Sequence, residues 1–218
     1  MINGIQLKIC GLTTLADALA AGKIGAGYLG FILWPKSPRC VSLETYAEIS
    51  AKLPWSKKVA VMVEPSMPDL SRALAQAPGF DRVQIHFRHT TPLARVREWS
   101  AAAGAKKLWL APKLPPAIDV PHEWLALADA FLLDTFDANP GQFGGTGQVS
   151  DWEKFARHRA ENPGNLWILT GGLSPGNIGA ALDETGARFV DVNSGIESSP
   201  GVKDHEKLQD LARALRQR

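Results

Sequence analysis

Cysteine is scarce in this chain: Cys10 and Cys40 are the two thiols among 218 residues. Two cysteines build no disulfide framework, so the fold has to stand on its core. Long hydrophobic runs are missing as well, and no apolar stretch is long enough to span a bilayer. The first residues, Met1 to Lys8, lack the basic region and apolar core of a signal peptide. These absences read as a cytoplasmic protein with no membrane partner. Charge of one sign does not dominate either. Lys and Arg number 24 against 22 Asp and Glu, a formal net charge of +2. Without a dense basic block, nucleic acid is not an expected partner. Arg213, Arg216 and Arg218 are spaced along a terminal helix and read as its solvated face. No cluster of His, Cys, Asp or Glu has metal-ligand spacing, and no nucleotide loop is found. Neither a metal nor another cofactor is therefore expected.

What is present is an ordinary globular composition, 45% hydrophobic and 21% charged. No linker of disordered composition divides it, which gives one domain over residues 1–218. Apolar, β-branched runs bounded by Gly, Pro and polar residues predict buried parallel strands. They fall at Gln6–Cys10, Tyr28–Leu33, Lys58–Val63, Arg82–His86, Lys107–Ala111, Ala130–Asp134, Leu166–Thr170 and Phe189–Val192. Between them, stripes such as Leu15, Ala18 and Leu19, or Tyr46, Ile49 and Leu53, have helical spacing. Later helices are predicted at Trp124–Ala128, Trp152–Arg159, Asn177–Thr185 and His205–Arg216, the first weakened by Pro112, Pro115, Pro116 and Pro121. Thr13 or Thr14 and Ser42 are candidate N-caps, and Ser174-Pro175 a candidate helix start. Eight strand-then-helix units in a row predict an α/β fold, a single (β/α)8 TIM barrel. An open doubly wound sheet would announce a glycine-rich turn after its first strand, and Cys10-Gly11-Leu12-Thr13 is no such turn.

In a barrel, active sites sit at the C-terminal ends of the strands, with phosphate held after strands seven and eight. Here Thr170-Gly171-Gly172 and Asn193-Ser194-Gly195 occupy those places, and Ile196–Gly201 is expected to form a short helix beside them. Any one glycine reads as a tight turn. Together Gly172, Asn193, Ser194 and Gly195 read as an anion seat of main-chain N–H groups. Gly144-Gly145-Thr146-Gly147 adds Gly145 as a third wall. Cys10 and Asp134 end strands one and six and would flank a bound molecule as base and acid. For that, the thiol must become a thiolate and the carboxyl must hold its proton. Cys40 reads as structural. Arg39, in a loop stiffened by Pro35 and Pro38, suits a carboxylate, and His86 closes strand four. The chemistry implied is acid–base work on a small phosphorylated, carboxylate-bearing molecule.

The chain resembles the phosphoribosylanthranilate isomerases of tryptophan biosynthesis over nearly its full length. The likeness rests on Lys8-Ile9-Cys10-Gly11-Leu12-Thr13, Leu29-Gly30-Phe31 with Ser37-Pro38-Arg39, Val83-Gln84-Ile85-His86 and Leu132-Leu133-Asp134. It continues through Gly144-Gly145-Thr146-Gly147, Gly171-Gly172-Leu173, Asp191-Val192-Asn193-Ser194-Gly195-Ile196-Glu197 and Pro200-Gly201-Val202-Lys203-Asp204. The resemblance implies a cofactor-free Amadori rearrangement of a phosphosugar-anthranilate substrate. Asp134 would be the general acid, Cys10 the general base, Arg39 the carboxylate partner and the glycine turns the phosphate grip. It implies a monomer or homodimer. Three positions depart from the pattern: Glu64 where asparagine is favoured, Phe87-Arg88-His89 after the strand-four histidine, and Asn193 where serine is usual. Glu64 would repel a doubly anionic substrate unless it is turned away or paired. Glu64 and the altered loop after strand four motivate a rival reading, a phosphoester-binding relative without catalysis. Other phosphosugar barrels fit less well. An indole-glycerol-phosphate synthase would show catalytic lysine and glutamate, and a histidine-pathway isomerase two aspartates, where this chain has Cys10 and Ala111-Pro112.

Overall fold

Each short apolar run pairs in parallel with its neighbour in sequence until the last returns to the first. The computed structural model describes residues 1–53, 56–133 and 150–218; Asp134 and Gly144-Gly145-Thr146-Gly147 lie outside them. The strands are β1 (Gln6–Ile9), β2 (Tyr28–Ile32), β3 (Lys57–Val63), β4 (Arg82–Arg88), β5 (Leu108–Lys113), β6 (Ala130–Leu133), β7 (Leu166–Leu169) and β8 (Phe189–Val192). They close into a barrel in chain order, with Lys8 in register with both Tyr28 of β2 and Asp191 of β8. Closure leaves no strand edge for another chain to pair with.

Helices α1 (Leu15–Lys23), α2 (Leu43–Ser50), α3 (Met67–Leu74), α4 (Leu93–Ala103), α5 (Trp152–Glu161), α6 (Ile178–Thr185) and α7 (His205–Arg216) follow strands. The starts of α1, α2, α3, α5 and α7 carry side-chain caps, which satisfy N–H groups that a first turn leaves free. Thr14 Oγ1 accepts from Asp17 N at 3.1 Å and Ser42 Oγ from Thr45 N at 3.1 Å. Among the described residues no helix is long and apolar enough to cross a membrane.

Three elements differ from expectation. Trp124–Ala128 is not an α-helix; a 3-10 helix spans His122–Leu127 instead. Pro115, Pro116 and Pro121 withhold the N–H groups a longer helix needs. The helix expected at Asn177–Thr185 runs Ile178–Thr185, but Ser174-Pro175 does not start it: Asn177 Oδ1 accepts from Ser174 N at 2.8 Å and the Ser-Pro step lies in a turn ahead of the helix. Ile196–Gly201 is no helix either. Ser194–Ile196 make a 3-10 turn, followed by a hairpin of β9 (Glu197–Ser199) and β10 (Val202–Lys203). Gly201, at φ 87°, supplies the turn between them, a conformation that glycine adopts without strain.

The two-residue period divides the core in two. Leu7, Ile9, Leu29, Phe31 and Ile85 face the helices in the larger cluster. Tyr28, Val59, Val61, Trp109, Leu132, Ile168 and Phe189 pack with Cys10 in a second cluster. Tyr28, Trp109 and Phe189 meet pairwise at 5.1–5.5 Å between ring centroids. These three rings plug the barrel and floor whatever lies above them. Trp109→Ala would empty the centre of that plug. A loss of about 3–5 kcal/mol in unfolding free energy is expected, read by urea denaturation, with Trp109→Phe retaining most of the stability.

Candidate active site

Above the aromatic plug, the inward positions of the strands turn polar. Lys8 and Cys10 come from β1 and its end, Gln84 and His86 from β4, Thr170 from beyond β7, and Asp191 and Asn193 from β8 and its end. With Arg39, Trp34, Gly171, Gly172 and Ser194, most of these line a cavity at the C-terminal mouth of the barrel. That is the face at which barrels bind small molecules. Of the residues singled out in the sequence, Cys10, Arg39, His86, Gly172, Asn193 and Ser194 share its lining. Gly195 stands just behind it. A Cβ there would collide with the Leu173 carbonyl, so this glycine lets the loop after β8 press onto the loop after β7. Asp134 and Gly145 lie outside the described residues.

The floor of the cavity holds a buried ion pair that sequence reasoning passed over. Lys8 is fully buried, and its Nζ donates to Asp191 Oδ2 at 2.7 Å. Lys8 Nζ and Cys10 Sγ both pack against Gly30, which sets the ammonium beside the thiol. Burial works against the ammonium, but Asp191 and Cys10 outweigh it and hold the Lys8 pKa above its ordinary value. Burial has the upper hand at Cys10, whose thiol is pushed above the ordinary range. Lys8 pulls the other way, Asp191 reinforces burial, and Lys203 opposes it. The signal was present in sequence. A lysine between Leu7 and Ile9, and an aspartate between Val190 and Val192, put charge on buried strands, where it persists only when paired.

His86 is neutral. Burial, and then the charge of Lys8, push its pKa down to about 3. Its Nε2 lies 2.7 Å from the Gln84 amide nitrogen. Asp191 Oδ1 and Gln84 Oε1 are buried and have no hydrogen-bond partner among the described residues.

Arg39 reaches the cavity, but prolines are only part of what aims it. Its Nε and Nη2 grip Glu197 of β9 at 2.7–3.2 Å. Glu197 also accepts from Lys203 Nζ at 2.9 Å and from Gly201 N at 3.2 Å. Lys203 in turn donates to Asn193 Oδ1 at 2.8 Å. The hairpin found in place of the expected helix therefore braces both Arg39 and Asn193. Glu64 is paired. Arg88 Nε and Nη2 donate to its carboxylate at 2.8 and 2.6 Å, and Arg88 N at 3.0 Å. Its pKa lies below the usual carboxylate value, the Arg88 bonds overcoming the opposing effect of burial. Two of the departures noted in the sequence thus answer one another.

Comparisons with known proteins point to one family. The family model described as N-(5'phosphoribosyl)anthranilate (PRA) isomerase matches residues 7–214. The isomerase of Paracoccus denitrificans is 38% identical, with 96% of this chain and 97% of that protein covered. That of Zymomonas mobilis is 36% identical, over 97% and 98%. Among solved structures, the Thermus thermophilus isomerase superimposes with a TM-score of 0.78 at 31% identity, covering 97% of this chain and 98% of that one. Another, determined with reduced 1-(o-carboxyphenylamino)-1-deoxyribulose 5-phosphate, gives 0.74 at 28% identity, covering 98% and 100%.

Removing Arg88 would leave Glu64 unpaired near the mouth. At roughly 10 Å in water-like surroundings, a dianion would feel about 0.8 kcal/mol of repulsion, or about fourfold in affinity. Arg88→Ala is expected to raise KM by about that factor at low ionic strength and less in salt. Adding Glu64→Gln should restore it, as steady-state kinetics would show.

Proposed function

The chain belongs to the N-(5'-phosphoribosyl)anthranilate isomerase family, and we propose that its rearrangement runs between Cys10 as general base and Asp134 as general acid. The enzyme is an aldose–ketose isomerase of tryptophan biosynthesis. It converts N-(5-phosphoribosyl)anthranilate to 1-(2-carboxyphenylamino)-1-deoxyribulose 5-phosphate.

Asp134 donates a proton to the furanose ring oxygen, and the C1–O bond breaks as the nitrogen lone pair forms C1=N, leaving a protonated Schiff base. Cys10, as thiolate, removes the proton from C2, and the electron pair moves through C1 to the nitrogen, neutralising its charge. The resulting enolamine tautomerises to the ketone. The observation that supports this reading is the position of Cys10 in the cavity wall, beside Lys8 and above a closed apolar floor. Asp134 is assigned from its place after β6 and from the resemblance.

Substrate groups find matching partners. The phosphate is assigned to Gly172, Ser194 and the turn beginning at Ser194, where main-chain N–H groups gather after β7 and β8. Gly145 is assigned to the same grip from its sequence position. The anthranilate carboxylate is assigned to Arg39, whose remaining N–H groups are free of Glu197. Asp191 Oδ1 and Gln84 Oε1 are the acceptors for sugar hydroxyls, since buried acceptors are costly when unsatisfied. His86, being neutral, binds rather than carries charge.

A fluorescence assay with freshly generated phosphoribosylanthranilate tests the assignment. Cys10→Ser and Asp134→Asn should each lower kcat by about 10²-fold or more; near-normal turnover in either removes that residue from the mechanism. The pH dependence has a definite sign. Burial raises the Cys10 thiol pKa, so the thiolate fraction grows as pH rises. The profile of kcat/KM should therefore show a rising limb at or above the free-thiol value of about 8.5. A flat profile between about pH 6 and 9 would contradict a titrating thiol.

A further inference from the structure

We propose that Lys8 is a positioning residue that steadies the Cys10 thiolate as it forms, and that Asp191 limits how far it does so. The proposal rests on the reading of Cys10 as the base, and goes beyond it by saying what makes that thiol basic in use.

Geometry carries it first. Lys8 and Cys10 are two apart on one strand, so both face the barrel interior, and both press against the bare backbone of Gly30 on β2. A Cβ at Gly30 would meet Cys10 Sγ at 2.9 Å, Lys8 Cε at 3.0 Å and Lys8 Nζ at 3.1 Å. The missing side chain is what lets ammonium and sulfur share one pocket. Lys8 Nζ spends one hydrogen on Asp191 Oδ2 at 2.7 Å, and the sulfur lies beside it. An ammonium has three donors, so it serves both without rearrangement.

Electrostatics follows from the same arrangement. When Cys10 surrenders its proton, a negative sulfur would be stranded in a site only 5% exposed. Lys8 supplies the opposing charge beside it. Asp191, in register across β8, competes for the same ammonium and repels the thiolate. The other groups around Cys10 are Lys203 of β10 and Arg39 of the loop after β2, both occupied by Glu197, with His86 of β4 neutral. Lys8 is therefore the cation that faces the sulfur most directly, and the mechanism above otherwise leaves it without a task.

The test measures thiolate, not turnover. In a Cys40→Ser background, the rate of Cys10 alkylation by iodoacetamide is followed against pH. Lys8→Met should move the midpoint up by a unit or more, so that alkylation near neutrality slows at least tenfold. Asp191→Asn should move it down. Opposite signs from two substitutions in one ion pair are not what general loosening of the fold produces. Should Lys8→Met fail to fold with Asp191 left unpaired, Asp191→Asn alone decides the matter. An unmoved midpoint, or both variants shifting it the same way, overturns the proposal. A Cys10→Ser enzyme that still turns over would instead strike the assignment of Cys10 as base, while leaving the alkylation result standing.

Discussion

A charged pair sealed inside a ring of strands sets the terms for everything above it. Lys8 and Asp191 lie at the junction where β8 closes onto β1, 2.7 Å apart and almost wholly buried. Breaking such a pair by removing one partner costs about 3–5 kcal/mol, because the other charge is left without water or counter-ion. A leucine and an isoleucine of similar bulk would fill the same space without that hazard. Charge here makes sense as part of a site, held in place by the barrel's closure and by the Tyr28–Trp109–Phe189 plug beneath it.

The wall of the cavity follows a second rule: Arg39, Lys203 and Arg88 are each tied to a carboxylate before any substrate arrives. Arg39 and Lys203 share Glu197, and Arg88 holds Glu64. Glu197 is the more deeply placed of the two, its side chain 4% exposed against 24% for Glu64. Its bonds to Arg39, Lys203 and Gly201 act on the geometry of the cavity, whereas the more exposed Glu64–Arg88 pair acts mainly on net charge. Ion pairing fixes direction without quenching the site, since an arginine gripped along one edge retains N–H groups on the other.

The fold was legible because period-two runs and helical stripes alternate without interruption, and every barrel strand lies within two residues of its expected bounds. Strand-mouth position also found Cys10, Arg39, His86, Gly172, Asn193 and Ser194, since a closed parallel barrel carries all such ends to one face. Three things were not legible. Proline density hid the 3-10 character of His122–Leu127, and Asn177 holds Ser174-Pro175 in a turn ahead of the helix after β7 through a side-chain bond that propensity does not register. The Glu197–Lys203 hairpin escaped because its reason for existing is long-range, a carboxylate on β9 meeting an arginine more than a hundred and fifty residues earlier. Lys8 and Asp191 stood in plain view as charges on apolar strands, but only the register of β1 with β8 shows that they pair. The conflict posed by Glu64 likewise dissolved only when β3 and β4 were seen side by side, bringing Arg88 to it.

The central claim is that Cys10, above the Lys8–Asp191 pair, faces the carbon that loses its proton. A crystal structure with a reduced product analogue bound tests it most directly. The account predicts C2 of the sugar within about 3.5 Å of Cys10 Sγ, the near-attack range, with the phosphate against Gly172 and Ser194. An analogue seated with its phosphate elsewhere, or with Cys10 Sγ turned from C2 behind other side chains, would contradict it.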